Sequence, residues 1–382
     1  MKVLIIGGTG ILSTAVVDEC VNKSIDVYMI NRGRRKLFIN EKVHFIKCDV
    51  HNKERVQELI AGLNFDAVID FLCYTKEDLE YSLNLFSNLS NQYVFISSTA
   101  VYNTSINQIF SEDSEKIQSL WSYSVGKNEC ERYLQEYCAL NNINYTIVRP
   151  GVNYGNTRIP YGIYPAIGYH WTLVERILHK KPIITWNNGE NRGNITRVED
   201  FAIGTVGLLG KKEAYNEAFN VVGDDFYSWD EVLQTLAKVL GKDVVTIDIP
   251  KEFYAEELGE RKGELLGGRA QNCMCSNEKL KKVVPSFKTT ISLEEGIKKT
   301  LEFYEKNDYL FGIDYDYESD TDRIICKYLT SIHQDYKSFN LKYIRYINSP
   351  IIKSFLKYYF NFYKNNSFVK LLFCVKRNIM TK

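Results

Sequence analysis

The chain has 382 residues, of which 45% are hydrophobic and 25% charged, and its 48 Lys and Arg residues nearly balance its 47 Asp and Glu residues. This composition excludes a disordered chain, and no apolar run reaches the length of about 18 residues that spans a membrane. Nine scattered cysteines without a C-x-x-C pair and an N-terminus without a signal-peptide pattern predict reduced thiols, no metal site and a cytoplasmic location.

Strands and helices alternate along the first 150 residues. Short apolar runs predict strands at 2–6, 26–30, 43–46, 67–71, 93–97 and 145–148, and helical spacing predicts helices at 11–22, 53–63, 76–89 and 119–142. This alternation predicts an α/β fold with parallel βαβ units in a doubly wound, Rossmann-type sheet. After Pro150 the pattern loosens, and we expect a smaller, less regular C-terminal substrate-binding lobe.

The turn between the first predicted strand and the first predicted helix reads Gly-Gly-Thr-Gly at residues 7–10. Glycines let the backbone approach a diphosphate, while the N–H groups and the dipole of the helix N-terminus hold its negative charge. Ser13 stands where a third glycine is usual, which predicts slightly looser packing. The predicted dinucleotide contacts here are Gly7, Thr9, Gly10, Ile11 and Leu12.

The end of the second predicted strand discriminates between the two nicotinamide dinucleotides. An acid there would bond the adenosine ribose and repel a 2′-phosphate. This chain has Asn31, followed by Arg32 and Arg35, and arginines favour a phosphate through charge-assisted hydrogen bonds. We therefore predict NADP in preference to NAD, with a merely solvated arginine loop as the alternative. Asp49, after the third strand, is a candidate acceptor for the adenine amino group.

A second pattern lies around the fifth predicted strand and the helix that follows it. Tyr123 and Lys127 are four residues apart, so they share one face of that helix. A nearby ammonium stabilises the phenolate form of a tyrosine, which can then act as a base. Ser98 follows the fifth strand, and its hydroxyl would bond the same substrate oxygen. These three residues are the predicted catalytic set.

Over about residues 1–306 the chain resembles the extended short-chain dehydrogenase/reductases, in particular the NAD(P)-dependent sugar-nucleotide epimerase/dehydratase group. The resemblance is carried by GGTGILS at 7–13, ISSTAVY at 96–102, YSVGK at 123–127, RPGVNYG at 149–155 and GNITRVEDFA at 193–202. It implies catalytic roles for Ser98, Tyr123 and Lys127, and a sugar nucleotide bound by the C-terminal lobe. It also implies cofactor contacts from Val50, Phe71, Leu72, Tyr123, Lys127 and Pro150.

The chain departs from the pattern of this family in two of its motifs. The 4,6-dehydratases carry an acid pair after the catalytic serine or threonine, where this chain has Thr99 and Ala100. Without that acid and base, the elimination of water has no agent. The substrate asparagine of the RP motif is displaced by one residue, to Asn153. With these departures, the resemblance implies substrate contacts from Ser98, Thr99, Asn153, Arg192 and Arg269.

These features together predict an NAD(P)-dependent epimerase that oxidises a sugar nucleotide to a ketosugar and reduces it again on the opposite face. An NADPH-dependent ketosugar-nucleotide reductase, built from the same parts, is the alternative. A 4,6-dehydratase ranks lower, and so does a non-catalytic RNA-binding or regulatory relative, because the catalytic set is retained. Family members are usually dimers, so the resemblance implies a homodimer.

The charge of the chain is divided unevenly. Residues 323–382 carry a net charge of +11 and the remainder −10. We therefore divide the chain into an NAD(P)-binding domain at 1–165, an interleaved sugar-nucleotide lobe at 166–310, and an acidic linker with a basic aromatic tail at 311–382. Apolar residues from Ile351 to Tyr363 recur at helical spacing, which predicts a basic amphipathic helix. We favour its packing on the acidic body or a second subunit slightly over a peripheral membrane contact, and both over nucleic acid.

Overall fold

The computed structural model describes residues 1–116, 120–310 and 312–341. The strands, in chain order, are β1 (Lys2–Ile6), β2 (Asp26–Asn31), β3 (His44–Lys47), β4 (Ala67–Asp70), β5 (Tyr93–Ile96), β6 (Ile109–Phe110), β7 (Tyr145–Pro150), β8 (Val152–Tyr154), β9 (Ile183–Thr185), β10 (Arg192–Arg197), β11 (Glu217–Val221), β12 (Phe226–Ser228), β13 (Thr246–Asp248) and β14 (Met274–Cys275). The α-helices are α1 (Ile11–Asn22), α2 (Lys53–Ile60), α3 (Lys76–Phe86), α4 (Ser122–Asn141), α5 (Trp171–Leu178), α6 (Val198–Gly207), α7 (Trp229–Leu240), α8 (Lys251–Leu258), α9 (Lys262–Glu264), α10 (Glu278–Val283), α11 (Leu293–Lys306) and α12 (Tyr315–Ser331).

A seven-stranded parallel sheet has the order β11-β7-β5-β4-β1-β2-β3. From β1 the chain adds strands first on one side, as β2 and β3, and then on the other side, as β4, β5, β7 and β11. The strand order therefore reverses between β1 and β4, and ligands of such sheets bind at the carboxyl edge beside this switch point. The strands read as continuous apolar runs because helices cover both faces, α1, α6 and α10 on one and α2, α3 and α4 on the other. The Rossmann-type α/β prediction is confirmed.

The chain groups into two compact units. The first comprises Met1–Tyr154, Arg192–Tyr227 and Gln271–Ser292, and it contains the seven-stranded sheet. The second comprises Gly155–Asn191, Ser228–Ala270 and the described residues 293–310 and 312–341, and in it β9 pairs with β13 in parallel. The three-part division made from composition stays a prediction.

Element boundaries follow local backbone chemistry. The bounds of β1 and α1 are those predicted, whereas α2 ends at Ile60, three residues early, because Ala61 leaves the helical region and Gly62 has φ +75°. Helix α4 begins at Ser122 and ends before Asn142, which takes a left-handed conformation. The predicted start of that helix at residue 119 and the predicted tail helix from Ile351 to Tyr363 lie outside the described residues.

Helix α12 joins the second unit through a buried cluster of four charged side chains. The Arg176 guanidinium donates to Glu318 and Asp322, at 2.9 Å each, and the Lys181 ammonium donates to Asp322 at 3.0 Å and to Glu318. All four side chains are at most 5% exposed. Burial, with the neighbouring Arg176 charge, lowers the pKa of Lys181. Two carboxylates of the predicted acidic linker therefore lie in a core.

Thiols and membrane segments complete the description of the fold. The eight cysteines that the structure describes are free thiols, and six of them are buried. In the described part of the chain, no helix is long and apolar enough to cross a membrane.

Replacing Asp322 with Asn should lower the free energy of unfolding by about 3–5 kcal/mol, because it leaves two buried cations with one carboxylate. Urea denaturation measures this loss as an earlier midpoint at unchanged slope. The matched control is Glu294→Gln, which removes an exposed carboxylate bonded to Lys238 and Lys298 and should leave the midpoint nearly unchanged. Equal losses in the two variants would contradict a special role for the buried cluster.

Candidate active site

The glycine turn between β1 and α1 is packed so closely that side chains have no room. Gly7 has φ +85°, and a Cβ there would lie 2.6 Å from the Leu72 side chain. A Cβ at Gly8 would lie 2.3 Å from the Met29 sulfur. The first turn of α1 contains no acidic residue, so its N–H groups and dipole can hold an anion.

Ser13 ties the glycine turn through its side chain, while the expected slight loosening of helix–strand packing stays a prediction. Its side chain is buried, and its hydroxyl donates to the Gly7 carbonyl at 2.8 Å and accepts the Gly10 N–H at 2.8 Å. The hydroxyl therefore ties the two ends of the glycine turn together. A third glycine could not make these bonds, because it has no side chain.

Strand β2 ends at Asn31, and the arginine loop that follows it contains Arg32, Arg34 and Arg35. The Asn31 Oδ1 accepts a backbone N–H two residues on, at 2.7 Å, while its Nδ2 is buried without a hydrogen-bond partner in the described chain. Arg35 donates to the Thr9 carbonyl at 3.3 Å, so its guanidinium lies at the glycine turn. Arg32 lies 3.9 Å from the Asp49 carboxylate, and both are about half exposed.

The remaining predicted cofactor positions also follow strands of the sheet or begin α1. The Val50 carbonyl accepts the Tyr81 hydroxyl at 2.9 Å, and the Phe71 N–H donates to Ile6 at 3.1 Å. Leu72 is exposed beside the glycine turn, and Pro150 ends β7. The crowded glycines, the acid-free helix N-terminus and the orphaned Asn31 amide fit a dinucleotide, which these residues would hold.

Lys127 is anchored at the carboxyl edge of the sheet. Its ammonium donates to the Cys73 carbonyl at 2.6 Å and to the Ile96 carbonyl at 2.8 Å, and the residue is 4% exposed. Burial lowers its pKa, although the nearby Asp70 and Glu131 carboxylates oppose that shift. The ammonium lies 5.9 Å from the centre of the Tyr123 ring, so its charge acts directly on the phenol.

Gly126 allows helix α4 to approach the sheet this closely. A Cβ at this position would lie 2.7 Å from the Tyr74 carbonyl oxygen. Tyr123, which is half-buried, has its ring 6.5 Å from the ring of Tyr74 and 4.9 Å from the ring of Trp121. The Tyr123 phenol therefore lies beside two aromatic rings, and it is on the same helix as the Lys127 ammonium.

Ser98 follows β5 and begins a short 3₁₀ turn, Thr99–Val101, accepting the Ala100 N–H at 3.2 Å. Two side chains of α4 hold this turn: Ser124 donates to the Ala100 carbonyl, and Asn128 donates to the Val101 carbonyl at 3.1 Å. Ser98, Tyr123 and Lys127 therefore lie on elements that are bonded to one another within the first unit.

A buried ionic network beneath this site had no signal in the sequence. Glu131, one turn after Lys127, accepts two bonds from Arg149, at 2.8 and 2.7 Å, and one each from Ser97 and Lys116, at 2.6 Å. Burial alone would raise the pKa of Glu131, but the Arg149 and Lys116 partners hold it below its usual range. Because Ser97 precedes Ser98, the network orients the end of β5 against α4.

Of the predicted substrate residues that follow Ser98, three lie in the first unit and one lies in the second. Thr99 and Asn153 are buried in the first unit, and the Asn153 Oδ1 has no hydrogen-bond partner in the described chain. Arg192 is exposed in the first unit, where it donates to the Phe226 carbonyl at 3.3 Å. Arg269 lies in the second unit, 5.1 Å from the ring of Tyr164.

The parallel sheet, the glycine turn at its switch point and the Ser, Tyr and Lys elements at its carboxyl edge define a class, the NAD(P)-dependent oxidoreductases of the extended short-chain dehydrogenase type. The model of the NAD dependent epimerase/dehydratase family matches residues 3–222, and the chain belongs to that family. Its cofactor is therefore a nicotinamide dinucleotide.

Known proteins of similar sequence and structure include the following. The chain is 27% identical over 312 residues to the chloroplast stem-loop binding protein of 41 kDa b of Arabidopsis thaliana, covering 78% of this chain and 77% of that one. It is 25% identical over 334 residues to the mouse dTDP-D-glucose 4,6-dehydratase, covering 80% and 89%. The structure of the epimerase Mth375 from Methanothermobacter thermautotrophicus superposes with a TM-score of 0.65 at 17% identity, covering 80% and 92%.

Replacing Gly126 with Ala should lower stability by roughly 1–3 kcal/mol, because the added methyl group forces α4 away from the Tyr74 carbonyl. Chemical denaturation measures this loss, and Ser122→Ala, at the exposed first position of α4, is the control that should leave stability unchanged. Wild-type stability in the Gly126 variant would show that α4 does not need this close approach.

Proposed function

We propose that the protein is a sugar-nucleotide epimerase in which Tyr123 is the base, Ser98 holds the reacting oxygen and Lys127 stabilises the phenolate. The observation that carries the proposal is the buried Lys127 ammonium, tied to two backbone carbonyls and 5.9 Å from the Tyr123 ring. A fixed positive charge beside a half-buried phenol favours removal of a proton from a sugar hydroxyl.

The residues act in sequence on one oxygen atom of the sugar. The Tyr123 phenolate accepts the hydroxyl proton, while the Ser98 hydroxyl bonds the same oxygen as it becomes a carbonyl. A bound nicotinamide dinucleotide supplies the reversible hydride chemistry of the reaction. After the ketosugar turns its other face, Tyr123 returns the proton, which yields the epimer.

The substrate assignment follows from the same residues. The unpartnered Oδ1 of buried Asn153 would accept a bond from a sugar hydroxyl. Arg192 and Arg269 are the candidates for the diphosphate, since guanidinium groups bond phosphates bidentately. The mouse relative is named for a sugar nucleotide, which supports that substrate class. We extend the proposal to a homodimer, as the family resemblance implies.

A 4,6-dehydratase is disfavoured despite the name of that relative. Elimination of water needs an acid and a base beyond the Ser, Tyr and Lys set. The 3₁₀ turn after Ser98 supplies Thr99 and Ala100 at the two positions, and neither side chain is an acid. A ketosugar-nucleotide reductase remains the second candidate, because the arginine loop after β2 suits NADPH.

A non-catalytic, RNA-binding role is the competing class, and the Arabidopsis relative is named for stem-loop binding. The retention of all three catalytic residue types argues against this role. The basic tail, which would supply phosphate contacts, lies mostly outside the described residues.

The proposal is tested by incubating the full chain with UDP- and dTDP-hexoses and either dinucleotide, and by measuring the mass of the products. An epimerase returns an isomer of unchanged mass, a reductase needs a ketosugar and consumes NADPH, and a dehydratase releases a product lighter by water. Tyr123→Phe and Lys127→Met should each lower kcat at least ~100-fold, the usual contribution of general acid–base catalysis. Tyr133→Phe, on the same helix, should keep wild-type kcat.

The kinetic constants that change in each variant also test the roles proposed for Ser98 and Tyr123. Ser98→Ala should reduce kcat with little change in cofactor affinity, because we assign the serine hydroxyl to the sugar oxygen and not to the cofactor. Full activity in the Tyr123 variant would refute the mechanism. No turnover of any sugar nucleotide by the wild-type chain, together with tight binding of stem-loop RNA, would move the protein to the competing class.

Cofactor preference is tested by replacing Asn31 with Asp. The carboxylate keeps the acceptor for the backbone N–H but repels a 2′-phosphate, so NADPH affinity should fall about tenfold or more while NADH affinity rises. Fluorescence titration of both reduced dinucleotides measures the two dissociation constants without turnover. Lys23→Ala, an exposed position at the opposite end of α1 from the glycine turn, is the control that should leave both constants unchanged. Tighter NADH than NADPH binding by the wild-type chain would contradict the preference.

A further inference from the structure

The second unit contains a cleft that the proposed active site does not use. Its volume is about 480 Å³, and its walls are the loop from Ile163 to Tyr169, helix α8 with the turn after it, and the first half of α12. Helix α12 and α8 lie beyond residues 3–222, which the family model matches. Two of the three walls of the cleft therefore come from the C-terminal region of this chain.

The cleft walls are acidic. Four carboxylates and one guanidinium line it, and Arg261 is engaged by Glu264 at 2.9 Å. Asp314 caps α12, accepting the N–H groups of the second and third residues after it at 3.1 Å each. The other lining carboxylates are Glu257, Asp316 and Asp320. A cation entering the cleft would thus meet a negative potential that low-dielectric walls strengthen.

The walls are also aromatic. Tyr164, Tyr169, Tyr254, Tyr315 and Tyr317 line the cleft together with isoleucines. Tyrosine rings attract ammonium and guanidinium groups through their negative faces and pack against other aromatic side chains. The surface therefore suits a partner that is both basic and aromatic.

The beginning of the basic stretch already contacts this surface. Arg323 and Lys327, the first two basic residues of the +11 segment, both donate to the Glu257 carboxylate on α8. The Arg323 guanidinium also donates to the Glu257 carbonyl at 3.3 Å. Burial alone would raise the pKa of Glu257, but these two cations hold it below its usual range. One cleft carboxylate is thus neutralised by the segment that leads into the tail.

We propose that the cleft binds the basic aromatic tail, residues 342–382, of the same chain. These 41 residues contain nine Lys and Arg, ten Phe and Tyr, and no acid, which matches the acidic, tyrosine-lined walls in both charge and chemistry. The described chain ends at residue 341 in the same unit as the cleft. A random coil of 41 residues would span roughly 35 Å, so the length of the tail allows the contact.

This assignment accounts for the uneven charge of the chain without a membrane. The cleft carboxylates would neutralise some of the nine tail cations, and the effective concentration of a tethered segment favours this intramolecular contact. The attraction at the exposed rim of the cleft weakens with salt, because the Debye length falls to about 10 Å at 0.1 M. The inference does not depend on the proposed enzymatic function.

The test uses the full chain and the double variant Asp316→Asn/Asp320→Asn, which removes two cleft carboxylates outside the buried cluster of α12. Trypsin cuts after lysine and arginine, so the rate of cleavage within residues 342–382 reports the exposure of the tail. We expect a severalfold faster cleavage in the double variant and in wild-type protein at high salt. Glu54→Gln/Glu58→Gln, an exposed pair with the same spacing on α2, should cleave as wild type.

Zero-length carbodiimide cross-linking of the wild-type chain identifies the occupant. Tail lysines should link to Asp316, Asp320 or Glu257 within one chain, as shown by mixing isotope-labelled and unlabelled protein. Links between two copies, links scattered over the surface, or equal cleavage rates in all variants would overturn the proposal. So would sedimentation of the full chain with phosphatidylcholine–phosphatidylglycerol vesicles that does not change in the cleft variant, because the tail would then serve a membrane.

Discussion

The buried ammonium of Lys127 is the constraint on which the rest of the first unit depends. Its two hydrogen bonds reach the carbonyl of Cys73, after β4, and that of Ile96, at the end of β5. A buried cation must be solvated by the protein itself, so helix α4 has to lie close to these two strand ends. That closeness requires Gly126 opposite the Tyr74 carbonyl, and it brings the Tyr123 ring to the same edge.

A second set of buried charges fixes helix α4 against the sheet, one turn after Lys127. Glu131 lies one turn after Lys127 and pairs with Arg149 on β7, while Ser97 adds a bond from the end of β5. Breaking such a pair would leave an uncompensated charge in the core, which favours a single position of α4 against the sheet. The fixing of α4 from two sides suits the proton transfer that we propose between Tyr123 and a sugar oxygen, because such transfers tolerate little misplacement.

Paired buried charges recur in the second unit, with a different consequence. The Arg176 and Lys181 cations bind Glu318 and Asp322 on one side of α12. This leaves other carboxylates of the same helix, Asp316 and Asp320 among them, on the wall of the cleft. Helix α12 thus has two buried carboxylates, Glu318 and Asp322, that are paired with cations, and other carboxylates on the wall of the cleft.

The sequence by itself determined the alternation of strands and helices, the glycine turn and the Ser, Tyr and Lys pattern, because these depend on local periodicity and on residues within one or two elements. It could not determine that Glu131 joins Arg149, or that the acids of α12 pair with Arg176. Those contacts join residues up to 146 positions apart, such as Arg176 and Asp322. Only tertiary structure brings such charges together, because the free energy that pairs them comes from their common burial and not from any local pattern.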